Sequence, residues 1–406
     1  MDRRKFVTLG GVALAAGQWG MPAWAQQQGV YRIGSLNPIT GSGSPYGTGM
    51  LKAIQFGAAE INDDGGAGGM KFEVYAEDSQ TSPQAAVLGA KKLIGVDKVK
   101  AMLGVWSSGE SLAVIPITNE ANMILMNTAG APALSVPPAN AKHLSFRFQA
   151  TNERFGRAFA QIAKRQGFKR PATMAFNNAS GIGNTEGFRK AWEAMGGKVV
   201  ANVVYEPNQP TYRSEVAQIL RANPDVIVTG SYLADTTLLL RAWYETGQPV
   251  HWIIPGWAGG PPLIKALGPK VTDGIISVES ISNEGAPTYK SFVERFFKKT
   301  GLHAQDNVYA TMAYDEVILL GLAVQAVGPN ASGEALAAKI HEIGNSGGTE
   351  ISRFAEGKKL IAAGKRVSYI GASSRLDFDK YNDVTPDFSA SFAEHGEFVR
   401  KYIVKI

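Results

Sequence analysis

Residues Ala101–Ala121, AMLGVWSSGESLAVIPITNEA, decide how the rest of the chain is read. The apolar run AMLGVW has the character of a buried parallel strand. It ends in Ser107-Ser108-Gly109-Glu110, where an apolar periodicity begins. Ser107 and Glu110 have capping-box spacing, so a helix is predicted to start here. A strand that runs into a serine-rich helix N-terminus leaves N–H groups and hydroxyls at the carboxyl end of a sheet. Open α/β sheets bind ligands at that edge, and the helix dipole favours an anion there.

Working outward, strand and helix patterns alternate. Val30–Leu36 is strand-like, Asn37–Gly49 is a loop rich in turn formers, Met50–Asn62 has helical spacing and Phe72–Glu77 alternates. Leu144–Phe148 looks like a strand that crosses into a second unit. There the pattern restarts and continues to Gly274–Val278. A helical block follows, including Asn307–Val327, and strands are expected near Arg375–Phe378 and Glu397–Ile406. Two runs of βα units predict an α/β protein with two doubly wound lobes. The expected division is 26–147 plus 274–373 for lobe one and 148–273 plus 374–406 for lobe two, following residues 1–25.

Those first residues carry Arg3-Arg4-Lys5-Phe6, an apolar Gly/Ala-rich run to Gly17, and Ala23-Trp24-Ala25. This is the layout of a cleavable signal peptide, with a twin-arginine character. No later segment is read as a membrane span. The 406 residues contain no cysteine, which excludes disulfides and thiolate catalysis. The net charge is +6, or +4 without the first 25 residues, with no long Lys/Arg run. Nucleic acid is therefore not an expected partner.

Enzyme signatures are sparse. Gly344–Gly348 fits G-x-S-x-G around Ser346, but a helical pattern stands where a strand is required. Gly181-Ile182-Gly183 falls short of G-x-G-x-x-G, and the five histidines are scattered. No catalytic residue, cofactor or metal is expected.

The predicted strand ends carry a different chemistry. Lobe one offers Tyr46, Trp106-Ser107-Ser108 and the loop Asn127–Pro132; lobe two offers Asn177–Gly183, Ser231-Tyr232 and Gly256-Trp257. Small polar donors between aromatic walls suit an organic anion with an apolar or aromatic body.

From Tyr31 to Ile406 the chain resembles the type I periplasmic substrate-binding proteins of ABC transporters, in the branched-chain amino acid (leucine/isoleucine/valine-binding) family. The resemblance is carried by Pro38-Ile39-Thr40-Gly41, Tyr46-Gly47, Glu60-Ile61-Asn62 and Glu77-Asp78. Met102–Gly130 and Ala313-Tyr314-Asp315 through Ala326 complete it. It implies two Rossmann-like lobes joined by three crossings, a small ligand captured between them, and delivery to an inner-membrane permease from the periplasm. A monomer is expected. By the same resemblance, Ser107 and Ser108 match serines that hold a ligand carboxylate, and Thr128, Gly130 and Ala131 match the next ligand loop. Tyr46 falls where an aromatic residue covers the ligand, and Tyr232 matches a second-lobe tyrosine.

Three departures bear on the ligand. The acidic residue that faces an amino-acid ammonium falls at Gly256 or Trp257, a ligand-loop threonine falls at Pro132, and a second-lobe tyrosine falls at Ile182. Each removes a polar contact, and a buried ammonium without a partner is costly. The expected ligand is a carboxylate without an amino group. An amino acid, an amide or urea-like ligand, a sensory receptor on the same scaffold, and a hydrolase using Ser346 are the alternatives.

Overall fold

The computed structural model describes residues 29–406; the expected export segment, 1–25, lies outside them. The lobe-one sheet holds β1 (Gly29–Asn37), β2 (Met70–Asp78), β3 (Ala101–Val105), β4 (Ile124–Asn127) and β5 (Ser145–Arg147). All its pairings are parallel, in the order β2-β1-β3-β4-β5. The lobe-two sheet holds β6 (Pro171–Phe176), β7 (Asn202–Tyr205), β8 (Val226–Gly230), β9 (His251–Pro255) and β10 (Ile276–Ser280). A small ladder, β11 (Thr349–Ile351) with β12 (Val367–Tyr369), stands apart. The hairpin β13 (Phe388–Glu394) and β14 (Glu397–Val404) adds antiparallel to β10, giving the order β14-β13-β10-β9-β8-β6-β7.

Helices connect the parallel strands. Lobe one has α1 (Ser44–Asp63), α2 (Pro83–Gly95) and α3 (Ser108–Glu120). Lobe two has α4 (Asn152–Arg165), α5 (Ala179–Ala194), α6 (Arg213–Leu220), α7 (Leu233–Tyr244), α8 (Pro261–Leu267) and α9 (Pro269–Thr272). The chain then returns to lobe one with α10 (Pro287–Thr300), α11 (Val308–Val327), α12 (Gly333–Gly344) and α13 (Phe354–Ala362). In each lobe apolar side chains fill the space between sheet and helices. Leu36, Leu93, Val105, Val114 and Leu125 do so in lobe one; Met174, Val216, Ile227, Leu240 and Ile254 do so in lobe two. Each such side chain contributes up to about 1.5–3 kcal/mol by leaving water.

Several expectations are corrected. Helix α1 starts at Ser44, inside the stretch read as a loop, because Pro45 in its first turn needs no N–H partner. No strand forms at Arg375–Phe378. By length and composition α11 could cross a membrane, yet it is a buried core helix packed on α1, α12 and α13. The crossings also move. Strand β10 pairs with β9 and β13, so the return to lobe one follows Ser280 rather than residue 273. Arg147 pairs with Asp383, and Arg147 N donates to Asn382 O at 2.9 Å, so the third crossing follows residue 384 rather than 373. Until then the chain stays on lobe one, held by Asp315 of α11. That carboxylate accepts from Tyr369 OH, Ala372 N, Ser373 N and Ser373 Oγ at 2.6–2.8 Å.

Arg147 joins the first crossing to the third. Its Nε donates to Asp383 Oδ1 at 2.8 Å, Nη1 to Ala129 O, and Nη2 to Ala131 O at 2.9 Å and Ser135 Oγ at 2.7 Å. Its side chain is 2% exposed and that of Asp383 is 9% exposed. Removing one partner of a buried pair strands the other charge, so Asp383→Ala is expected to cost about 3–5 kcal/mol in chemical denaturation.

Candidate functional site

Parallel strands followed by helices bring their carboxyl ends, and the helix N-termini, to one edge of each sheet. In lobe one the decisive turn follows β3. Gly104 has φ +88°, and a Cβ there would lie 2.4 Å from Asn37 Oδ1, so only glycine fits. The β3–β4 register shifts between Met102 and Val105, which marks a bulge before Trp106. Helix α3 then begins with the predicted capping box. Ser107 N donates to Glu110 Oε2 at 2.9 Å, and Glu110 N donates to Ser107 Oγ at 3.4 Å. The Ser107 hydroxyl is thereby engaged within the helix cap. Among the described residues, the buried hydroxyls of Ser108 and Thr128 have no hydrogen-bond partner. The N–H groups of Ser108 and Gly109, the first of α3, lie ahead of any carbonyl in the helix ladder.

These groups face a narrow cavity of about 20 Å³ between the lobes. Trp106, Ser107, Ser108, Thr128, Gly130, Tyr232 and Trp257 line it, together with Gln149, Ala150, Asn152, Phe155, Ser180 and Tyr309. No charged side chain is among them. Five aromatic side chains form the walls. Trp106 meets Tyr232 across the cleft, with ring centres 5.3 Å apart, and Tyr309 edge-on at 5.8 Å. Phe155 meets Trp257 edge-on at 4.9 Å. Trp257 Nε1 donates to Ser231 O at 3.0 Å, and Tyr232 OH accepts from Asn178 Nδ2 at 3.3 Å. Burial pushes the Tyr232 and Tyr309 phenols up, so both stay neutral.

Three expected site residues are placed otherwise. Tyr46 stacks behind Trp106, with ring centres 5.7 Å apart, and supports the wall rather than forming it. Ala131 turns its carbonyl to Arg147 and starts a 3-10 turn with Pro132. Ile182 lies one turn along α5, 36% exposed, while Ser180 reaches the cavity. Gly130 has a steric role: a Cβ there would lie 1.9 Å from Asn152 Oδ1, and its carbonyl accepts from Asn152 N at 2.7 Å. The residues missed from the sequence, Gln149 to Phe155, follow β5 at the first crossing. The same strand-end rule reaches them once the crossing is treated as a strand end. Tyr309 was legible only as the start of α11.

The position expected to carry an acid holds Gly256, but the space above it is occupied. Glu279, at the end of β10, places Oε2 2.6 Å from where a Gly256 Cβ would lie. Its Oε1 accepts from Ser280 N at 2.8 Å, Ser280 Oγ at 3.2 Å and Gln149 Nε2 at 3.4 Å. Desolvation pushes the Glu279 carboxyl up from 4.5 to about 7. Ser346 is exposed in a bend that follows α12, without the strand a nucleophile elbow needs. No group of three or more His, Cys, Asp or Glu side chains could hold a metal ion among the described residues.

A family model described as "Periplasmic binding protein" matches residues 30–365, and the chain belongs to that family. The Leu/Ile/Val-binding protein homolog 8 of Brucella abortus is 27% identical over 289 residues, covering 66% of this chain and 70% of that protein. Among solved structures, a leucine-binding protein from Thermotoga maritima superposes with a TM-score of 0.78 at 20% identity, covering 92% of this chain and 98% of that one. A solute-binding protein of an ABC transporter from R. palustris, in complex with benzoate, gives 0.75 at 20% identity over 92% and 96%. The protein is thus a periplasmic binding protein, on the two-lobed α/β fold expected.

Two outcomes follow for stability. Ser107→Ala removes a helix cap and is expected to cost about 1 kcal/mol in chemical denaturation. Glu279 binds its proton more tightly folded than unfolded, so its contribution to stability is present below about pH 4.5 and lost as pH rises to about 7. Glu279→Gln is expected to flatten stability across that window, measured by denaturation at stepped pH.

Proposed function

We propose that the receptor captures a small organic acid with an apolar or aromatic body and passes it to an inner-membrane ABC permease. The observation that carries this is the pair of unpartnered hydroxyls, Ser108 and Thr128, beside the α3 N-terminus in a cavity without a charged lining side chain. An anion held there is paired by hydroxyls, N–H groups and helix dipoles. Asn152, Ser180, Tyr232 and Tyr309 stand at the N-terminal ends of α4, α5, α7 and α11, so four further dipoles face the same space. The aromatic walls supply the rest of the contact. The benzoate complex of the R. palustris relative agrees with this chemistry.

The lobes close over the ligand by hinge motion at the crossings, and Trp106 against Tyr232 is the closed contact. No chemical step is assigned to the site, and the chain acts as a monomer. Export uses the N-terminal signal of residues 1–25, of twin-arginine type. An amino acid is the second reading, because Glu279 brings a carboxylate to the space above Gly256. The hydroxyls of Ser108 and Thr128 at the α3 N-terminus favour the organic acid.

A thermal-shift panel on refolded protein separates the two. Benzoate-type and branched 2-oxo acids are expected to stabilise, by about 2.7 kcal/mol at a hundredfold excess over Kd. Stabilisation by leucine or valine alone would overturn the organic-acid reading. Ser108→Ala is expected to weaken binding of the responding acid by about 1–3 kcal/mol in titration calorimetry, with unfolding little changed.

A further inference from the structure

The order of strands in the two sheets gives the cleft a direction. In lobe one the strand ends step from β3 through β4 to β5, and the chain then crosses. In lobe two they step from β6 through β8 and β9 to β10, where it crosses back. Ser108 and Thr128 follow β3 and β4, whereas Gln149 follows β5 and Glu279 ends β10. The free hydroxyls and Glu279 therefore stand at different points along the cleft, with Glu279 on the hinge side.

Glu279 is unusual for what surrounds it. All three hydrogen bonds to its carboxylate end on Oε1. Among the described residues Oε2 accepts none, and Glu279 forms no ion pair. Gly256 leaves open the space that Oε2 enters; Glu279 and Gly256 stand just behind the cavity lining, which Gln149 and Trp257 form beside them. Gln149 is both a cavity-lining residue and a donor to Oε1, so it links the carboxylate to the ligand space. The other groups packed around it are neutral. The phenols of Tyr46 and Tyr309 face it from lobe one, and Ser389 of β13 donates to its backbone carbonyl at 3.2 Å. On α4, the guanidinium of Arg154 donates to Ile406 O instead. Gly256 on the β9 side has no side chain at all.

We propose that Glu279, presented with Gln149, is a specificity-determining residue that takes a hydrogen-bond donor carried by the ligand remote from its carboxylate. This rests on the reading of the cleft as an organic-acid site and narrows it to acids with a hydroxyl or N–H at the far side of the body. An acid without such a donor encloses Oε2 with no partner, and a site built around a polar contact rejects the analogue that lacks it. Gly256 is then part of the same device, since any side chain there would displace the carboxylate.

The experiment compares benzoate with 3-hydroxybenzoate, 4-hydroxybenzoate and 4-aminobenzoate by titration calorimetry on the refolded chain, with phenol as the probe lacking a carboxylate. Wild type is expected to bind at least one donor-bearing acid about tenfold or more tighter than benzoate. Glu279→Leu is expected to reduce that preference to about twofold or less while benzoate binding is retained. Should the leucine variant fail to fold, Glu279→Gln, which keeps the shape, is expected to shrink the same ratio. A ratio near one in wild type, or one unchanged in the variant that folds, overturns the proposal and leaves the organic-acid reading standing. Phenol binding as tightly as the acids, or no acid binding at all, overturns the reading beneath it.

Discussion

The parallel strands of each large sheet end at one edge of that sheet, and the cleft depends on that polarity. A right-handed βα crossover leaves no other arrangement. Two sheets built this way and set edge to edge turn five helix N-termini toward one enclosed space, those of α3, α4, α5, α7 and α11. The site can then hold an anion without a lysine or arginine of its own. A neutral, dipole-lined cavity also releases its ligand more easily than one that must break a desolvated ion pair. A receptor that must hand its ligand on needs that property.

The one buried arginine near the site works behind it. Arg147 holds the carbonyls of Ala129 and Ala131, and so shapes the loop that presents Thr128 and Gly130, while its ion pair with Asp383 joins two of the three crossings. The ligand loop and the hinge thus share one buried hydrogen-bonding centre. Asp315 does similar work on the other side of lobe one, pinning the segment Tyr369–Ser373 that leads toward the third crossing. Both centres lie in the lobe that carries the free hydroxyls. Its loops are fixed by buried polar bonds whose loss is expensive.

Much of this was legible before any coordinates. The Ser107–Glu110 capping box, the apolar strand ahead of it and the alternating elements fix α/β lobes and the binding edge, because local spacing determines them. Trp106, Ser108, Thr128, Tyr232 and Trp257, singled out by that rule, line the cavity between the lobes. The sequence does not separate the roles of the two serines. Ser107 and Ser108 are equivalent as letters, and only the cap geometry shows that the first hydroxyl is engaged and the second is free.

What the sequence by itself determined is the fold class, the edge of each sheet where the cavity opens, and the aromatic and hydroxyl character of its lining. Those follow from periodicity and capping, which are local. What only the tertiary structure decided is where the lobes exchange chain and what meets across the cleft. The crossings after Ser280 and residue 384 depend on which strands pair, and the nearness of Glu279 to Gly256 depends on two neighbouring strands in register. Contacts between residues far apart in sequence leave no local pattern, so the missing side chain at Gly256 was legible and the carboxylate that fills its place was not.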